Sequence, residues 1–292
     1  MLPNLWKGRR PVSMIRAMTG PAREIPPFVR MEGDPATGYL LLCDHASNHV
    51  PAGYELGLPA SEMRRHIAYD PGAEAVTLAL AGRLHAPAVL STFSRLLIDA
   101  NRGGDDPTLV MRLSDGAIVP GNARVDAEER ARRIRRFHAP YHAAISAAID
   151  EAMRAGFPPA LVSIHSFTPV WRGKQRRWHA GVLWDQDPRL ALPLIDGLAA
   201  DGALVVGDNE PYAGALANDT MYRHATRRGL AHALIEIRQD LIADAAGAVA
   251  WAERLEAIFR TLAGIPGLHE IRHYGSLAGP VDPIYPPDSD AA

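Results

Sequence analysis

The chain has 292 residues, 47% of them apolar and 22% charged, enough for one large domain with a substantial core. Lys and Arg total 31 against 33 Asp and Glu, a net charge of −2 that argues against nucleic-acid binding through bulk electrostatics. No apolar run approaches the roughly 18–20 residues of a membrane span, and the single cysteine, Cys43, has no partner for an internal disulfide. Together these features describe a soluble cytoplasmic domain of enzyme size, with neither nucleic acid nor membrane as the expected partner.

Residues 1–30 mix Pro, Gly and basic residues without a secretory apolar segment and read as a loosely attached arm; Met14, Met18 and Met31 offer alternative starts. Residues 31–278 read as a single α/β domain, and residues 279–292 as a Pro-rich, acidic surface tail that continues neither helix nor central strand.

Within the body, short apolar runs predict strands at Tyr39–Cys43, Ala88–Ser91, Leu96–Ile98, Leu161–Ile164, Ala180–Leu183, Ala203–Val206 and Ala233–Ile237. Between them fall helical stretches at Ala73–Leu84, Asp126–Ala155, Arg189–Asp201 and Gly247–Ala263. The second is interrupted near Pro140, and its Arg130–Arg136 run reads as a solvated face. This alternation predicts an α/β sandwich whose mixed, mostly parallel sheet is covered by helices. In such folds the chemistry gathers at the carboxyl ends of the strands.

Polar clusters occupy those ends. Asp44-His45-Ala46-Ser47-Asn48-His49 follows the first strand, and His45, nearest the strand, is a candidate metal ligand. Asp70, before Pro71 and Gly72, is either a helix cap or a carboxylate ligand completing a His/His/Asp site. Arg95 and Arg102 flank Leu96–Ile98, and their guanidinium forks suit a carboxylate-bearing substrate; Asp99 is their local partner in a purely structural reading. His165 ends the Leu161–Ile164 strand and pairs naturally with His45. The turn-rich segment 207–214, containing Tyr212, reads as a substrate-facing loop. Glu236 lies in a β-branched strand, where a carboxylate is rare. It is either a general base near a metal-activated water or the partner of Arg238 in a buried ion pair.

Seven segments, in order, carry a family resemblance: CDHASNHVP, YDPGA, TFSRLLIDANR, PYHAAI, SIHSFTPV, NEPYAG and IEIRQDLI. Together they resemble the N-formylglutamate amidohydrolase family from about Tyr39 to Glu253. The resemblance implies a zinc-dependent hydrolase with a fold similar to zinc carboxypeptidases and aspartoacylases. It further implies the functional order His45, Asn101-Arg102, His165 and Glu236. Carboxypeptidases place a glutamate three residues after the first histidine, where this chain has Asn48; Asp70 is therefore the favoured third ligand, with Asn48 and Asp44 as the alternatives.

On this reading Zn²⁺, or another divalent ion, is held by His45, Asp70 and His165. Glu236 is the base, while Arg95 and Arg102 divide oxyanion stabilisation and carboxylate binding. Asn48, Asn101, Arg102 and Tyr212 contact the substrate, an N-formyl or similar N-acyl amino acid. The rival readings are a hydrolase of another N-acyl amino acid or small peptide, and a non-catalytic binder of small acidic ligands.

Overall fold

The computed structural model describes residues 25–200 and 202–285. Seven strands form its central sheet: β1 (Phe28–Met31), β2 (Tyr39–Cys43), β3 (Ala88–Ser91), β4 (Ala160–Phe167), β5 (Ala180–Leu183), β6 (Val206–Asp208) and β7 (His232–Arg238). Their spatial order is β1-β3-β2-β4-β7-β5-β6. The neighbours β3, β2, β4 and β7 run parallel, as do β5 and β6, whereas β1 and β3, and β7 and β5, pair antiparallel. The sheet is thus mixed and mostly parallel, with helices on both faces.

Alternation along the strands builds two cores. Tyr39, Leu41 and Cys43 join Val162, Ile164, Ala233 and Ile235 on one face, packed against α1 (Ala73–Leu84), α4 (Pro188–Ala199) and α6 (Ala245–Leu262). Leu40, Leu42, Leu161 and Leu234 face the other way, toward α3 (Ala139–Arg154) and α5 (Thr220–His224). Continuing the second alternation places Asp44, Ser163, His165 and Glu236 on the α3 side at the carboxyl end of the sheet. One face of the sheet therefore changes from core to polar site as its central strands end.

Five sequence expectations need correction. Leu96–Ile98 is a turn, because the Ser94 hydroxyl donates to Ala68 O and accepts from Leu96 N while Leu97 N bonds back to Ser94 O. Its side chains are all buried but diverge, Leu96 into a small separate cluster and Leu97 and Ile98 beneath the sheet. An apolar run alone does not distinguish such a turn from a strand. The Ala203–Val206 strand is displaced to Val206–Asp208, in register with Ala180–Val182.

Arg133 does not lie on a solvated face. It is buried, donating to Leu97 O, Asn122 Oδ1 and Glu129. The expected 126–155 helix comprises α2 (Ala127–Arg133), a π-helical turn at Ile134–His138 and α3, with Pro140 in the first turn of α3. Finally, the presumed arm enters the fold earlier than expected, since Phe28–Met31 forms an edge strand. Residues 1–24 of that arm, residues 286–292 of the tail and Asp201 lie outside the described residues. The tail's described part lies against the body, where Ile284 N donates to Arg227 O and Tyr222 OH to Pro280 O.

Candidate active site

His45 lies two residues beyond β2, His165 is near the end of β4, and Asp70 reaches them from the loop entering α1. Asp70 is not the side-chain cap of α1, whose N-cap is Gly72. Its backbone N–H donates to His45 O at 2.9 Å, which turns the carboxylate inward. Asp70 Oδ2 lies 2.8 Å from His165 Nδ1 and 3.4 Å from His45 Nδ1, and one donor atom from each residue falls within 4.8 Å of the others. Donors held about 2.0–2.2 Å from a tetrahedral zinc stand about 3.3 Å apart. The chemistry and spacing of this His-Asp-His group therefore suit a divalent cation.

The far side of each imidazole is also engaged. His45 Nε2 faces Asp99 Oδ1 at 2.7 Å, and His165 Nε2 faces Asp44 Oδ2 at 3.0 Å. Carboxylates behind histidines orient the rings and raise ligand basicity. Asp44 is fixed in turn by Tyr141 OH, Thr220 Oγ1 and Ser163 Oγ, at 3.0, 2.6 and 2.7 Å. Burial alone would raise the pKa of Asp44, but its bond to His165 and the nearby imidazoles hold it well below the usual carboxylate range. Asp70 is likewise held low against burial, by His45 and His165. The third carboxylate, Asp99, is held low mainly by Arg95, whose Nε and Nη2 both donate to Asp99 Oδ2.

Glu236 has different surroundings. It pairs in register with His165 on the neighbouring strand, is buried, and its Oε2 has no hydrogen-bond partner among the described residues. Burial, reinforced by the charge on Asp70, pushes its pKa up to about 7. The alternative ion pair does not form, because Arg238 binds Asp240 instead. A buried carboxyl with a free oxygen and a pKa near neutrality has the properties of a general base.

His45, Asp70, His165 and Glu236 line a cavity of about 290 Å³ together with Arg95, Asn101, Arg102 and Tyr212. Asn101 Oδ1 accepts from Thr220 N, leaving the Asn101 amide N–H₂ without a partner among the described residues. Arg102 donates to Asn101 O and Thr108 Oγ1, and its Nη2 makes no hydrogen bond among the described residues. By contrast, all three nitrogens of Arg95 face Asp99 or Asp70. Asn48 is not in the cavity wall; its amide donates to Met63 O.

The orienting roles of Asp44 and Asp99 were not anticipated. The signal for Asp44 was its place in the Leu40-Leu42-Asp44 alternation, and for Asp99 a lone acid closing the apolar run Leu96–Ile98. Arg176 was also missed. Its guanidinium lies over the rings of Phe167, Trp171 and Tyr212, each of which lines the cavity.

Residues 37–243 match the N-formylglutamate amidohydrolase family. Among solved structures, the chain is similar to gene product Atu2144 from Agrobacterium tumefaciens, with 37% identity over 81% of this chain and 94% of that one, and a TM-score of 0.76. It also shares its fold with N-formylglutamate amidohydrolase from Ralstonia eutropha JMP134, with 20% identity, a TM-score of 0.62, and coverage of 82% of this chain and 97% of that one. No curated protein matches the chain.

Proposed function

Because the chain belongs to the N-formylglutamate amidohydrolase family, we propose that it is a metal-dependent amidohydrolase that removes the formyl group from N-formyl-L-glutamate. The observation that carries this reading is the unpartnered, buried Glu236 carboxyl in the same cavity as the convergent His45, Asp70 and His165.

His45, Asp70 and His165 are the residues that would hold the metal, with zinc the ion best suited to two imidazoles and a carboxylate. Such an ion acidifies water and polarises an acyl oxygen. Glu236 takes a proton from the attacking water and passes it to the leaving nitrogen as the C–N bond breaks, yielding formate and a free amine. Asn101 and Arg102 hold a substrate carboxylate through the Asn101 amide and the free Arg102 Nη2. Arg95 keeps Asp99 ionised and holds Asp99 and Asp70 in place, and its positive charge stabilises the developing oxyanion. Tyr212 packs against the substrate from across the cavity. We assign the enzyme to the cytoplasm; among the described residues, no helix is long and apolar enough to cross a membrane.

A second reading, hydrolysis of an N-acyl amino acid with a bulkier apolar part, draws support from Phe167, Trp171 and Trp184 in the cavity wall. A panel of N-formyl and N-acetyl amino acids, assayed with metal-loaded enzyme, separates the two. The first reading predicts the highest kcat/KM for N-formyl-L-glutamate, with formate and glutamate released in equal amounts. A clear preference for apolar substrates would overturn it in favour of the second.

A further inference from the structure

Beneath the Asn101-Arg102 segment lies a second group of histidines, none of which faces the His-Asp-His site. His138 and His142 stand one helical turn apart at the start of α3, and His224 ends α5. All three are buried. His142 Nε2 is 3.0 Å from Ala100 O, and its Nδ1 is 2.8 Å from His224 Nε2. His138 Nε2 is 2.9 Å from Arg102 O. The His142 and His224 rings are nearly parallel, 19° apart, and His224 Nδ1 faces Ser146 Oγ at 3.5 Å.

A carbonyl only accepts, so the tautomer in which His142 bonds Ala100 O carries its hydrogen on Nε2, and the same holds for His138 toward Arg102 O. In that set the two Nε2 atoms, 3.1 Å apart, are both donors, each with its hydrogen directed at its own carbonyl. His142 Nδ1 is then an acceptor, which places the His224 hydrogen on Nε2 and leaves His224 Nδ1 to accept from Ser146. The donation runs from Ser146 through His224 and His142 to Ala100 O. The His142 and His224 imidazoles lie end to end, and the metal-compatible cluster among the described residues is the His45-Asp70-His165 group alone.

The two carbonyls at the end of this arrangement flank Asn101. We propose that His142, supported by His138 and His224, is a positioning residue that clamps the 100–102 backbone so that the Asn101 amide and the Arg102 guanidinium are presented to the substrate carboxylate. This rests on the reading of Asn101 and Arg102 as substrate contacts. The other supports of the segment are Asp99 Oδ1 accepting from Asn101 N, Thr220 N donating to Asn101 Oδ1, and Thr220 Oγ1 donating to Ala100 O at 3.4 Å. The imidazoles fix the Ala100–Asn101 peptide plane before it and the Arg102–Gly103 plane beyond Arg102. Apolar side chains would fill the same volume without burying polar nitrogens that require partners, so the chain's distinctive contribution is direction.

The test compares His142→Gln, His142→Asn and His142→Phe in the metal-loaded full chain. A glutamine amide reaches the Nε2 position and can donate to Ala100 O; asparagine reaches only the Nδ1 position, and phenylalanine fills space without bonding. For N-formyl-L-glutamate, the Asn and Phe variants are expected to raise KM about tenfold or more with kcat within about threefold, the pattern of lost uniform binding. The Gln variant is expected to stay within about threefold of wild type in both parameters, and all should retain the wild-type metal content. A Gln variant as defective as the Asn variant would reduce His142 to packing and overturn the proposal. So would a loss of kcat and metal with KM unchanged, which would make the cluster part of the metal centre. Wild-type enzyme inactive on N-formyl-L-glutamate would instead sink the substrate reading on which the proposal stands.

Discussion

Two groups of buried histidines lie on the same side of the sheet and are built for opposite purposes. Around His45 and His165, carboxylates meet ring nitrogens on both sides: Asp70 between the rings, with Asp99 and Asp44 behind them. Burial would lower the pKa of His165, but its bonds to Asp44 and Asp70 outweigh that and push it up to about 10. Around His138, His142 and His224 the partners are carbonyls, a hydroxyl and other imidazoles. There burial dominates, driving His138 down to about 4 and keeping His142 and His224 low, with neighbouring imidazoles and arginines adding to the effect. The same side chain sits among carboxylates that suit a cation in one place and among neutral partners in the other. What separates them is the acid content of the surroundings, supplied by residues distant in sequence.

The comparison is tested most severely at Glu236. Glu236→Gln should lower kcat by about 10²–10⁴-fold while metal content stays at the wild-type level; full kcat in the loaded variant would remove Glu236 from proton transfer. Next, Asp99→Asn and Asp44→Asn should weaken metal affinity by about 10–100-fold, whereas His138→Gln should leave it unchanged. Competition with a chelating dye measures both, and equal losses in the two clusters would erase the distinction between them.

Acid stability probes the neutral cluster. His138 has a folded pKa below its unfolded value, so its contribution is fully present above about pH 6.5 and is lost as the pH falls toward 4. Between pH 7 and pH 5 this group alone should cost on the order of 2 kcal/mol, read as a lower urea midpoint. His138→Gln should flatten that dependence. The smallest effect concerns protons. His165 is protonated at neutral pH in the metal-free protein, so metal uptake at pH 7 should release about one proton. Calorimetry in buffers of different ionisation enthalpy measures it.

Much of the fold was legible because buried parallel strands are short, apolar and periodic, as in Tyr39–Cys43 and Ala233–Ile237. His45, Asp70, His165 and Glu236 stood out because each interrupts or ends an apolar segment, and the structure places all four around one cavity. Leu96–Ile98 misled because its buried side chains serve two different clusters, a distinction that depends on tertiary packing. Asn48 drew attention through its spacing from His45, but the backbone carbonyl of Met63 claims its amide. The orientation of Asp44 depends on Tyr141, Ser163 and Thr220, contributed by three other segments of the chain. PYHAAI was visible as a segment, but His142 acquires its meaning from His224, 82 residues away, and from the carbonyl of Ala100. Such long-range partners have no local signature.

The most direct test of the central claim is metal reconstitution. Protein stripped with a chelator is titrated with zinc while formate release from N-formyl-L-glutamate and bound metal are followed together. Activity should be absent at the start, rise in proportion to bound zinc, and reach its plateau at one ion per chain; Asp70→Asn should fail to recover at the same zinc concentrations. Full turnover in verified metal-free protein, or a plateau unaffected by Asp70→Asn, would contradict the account.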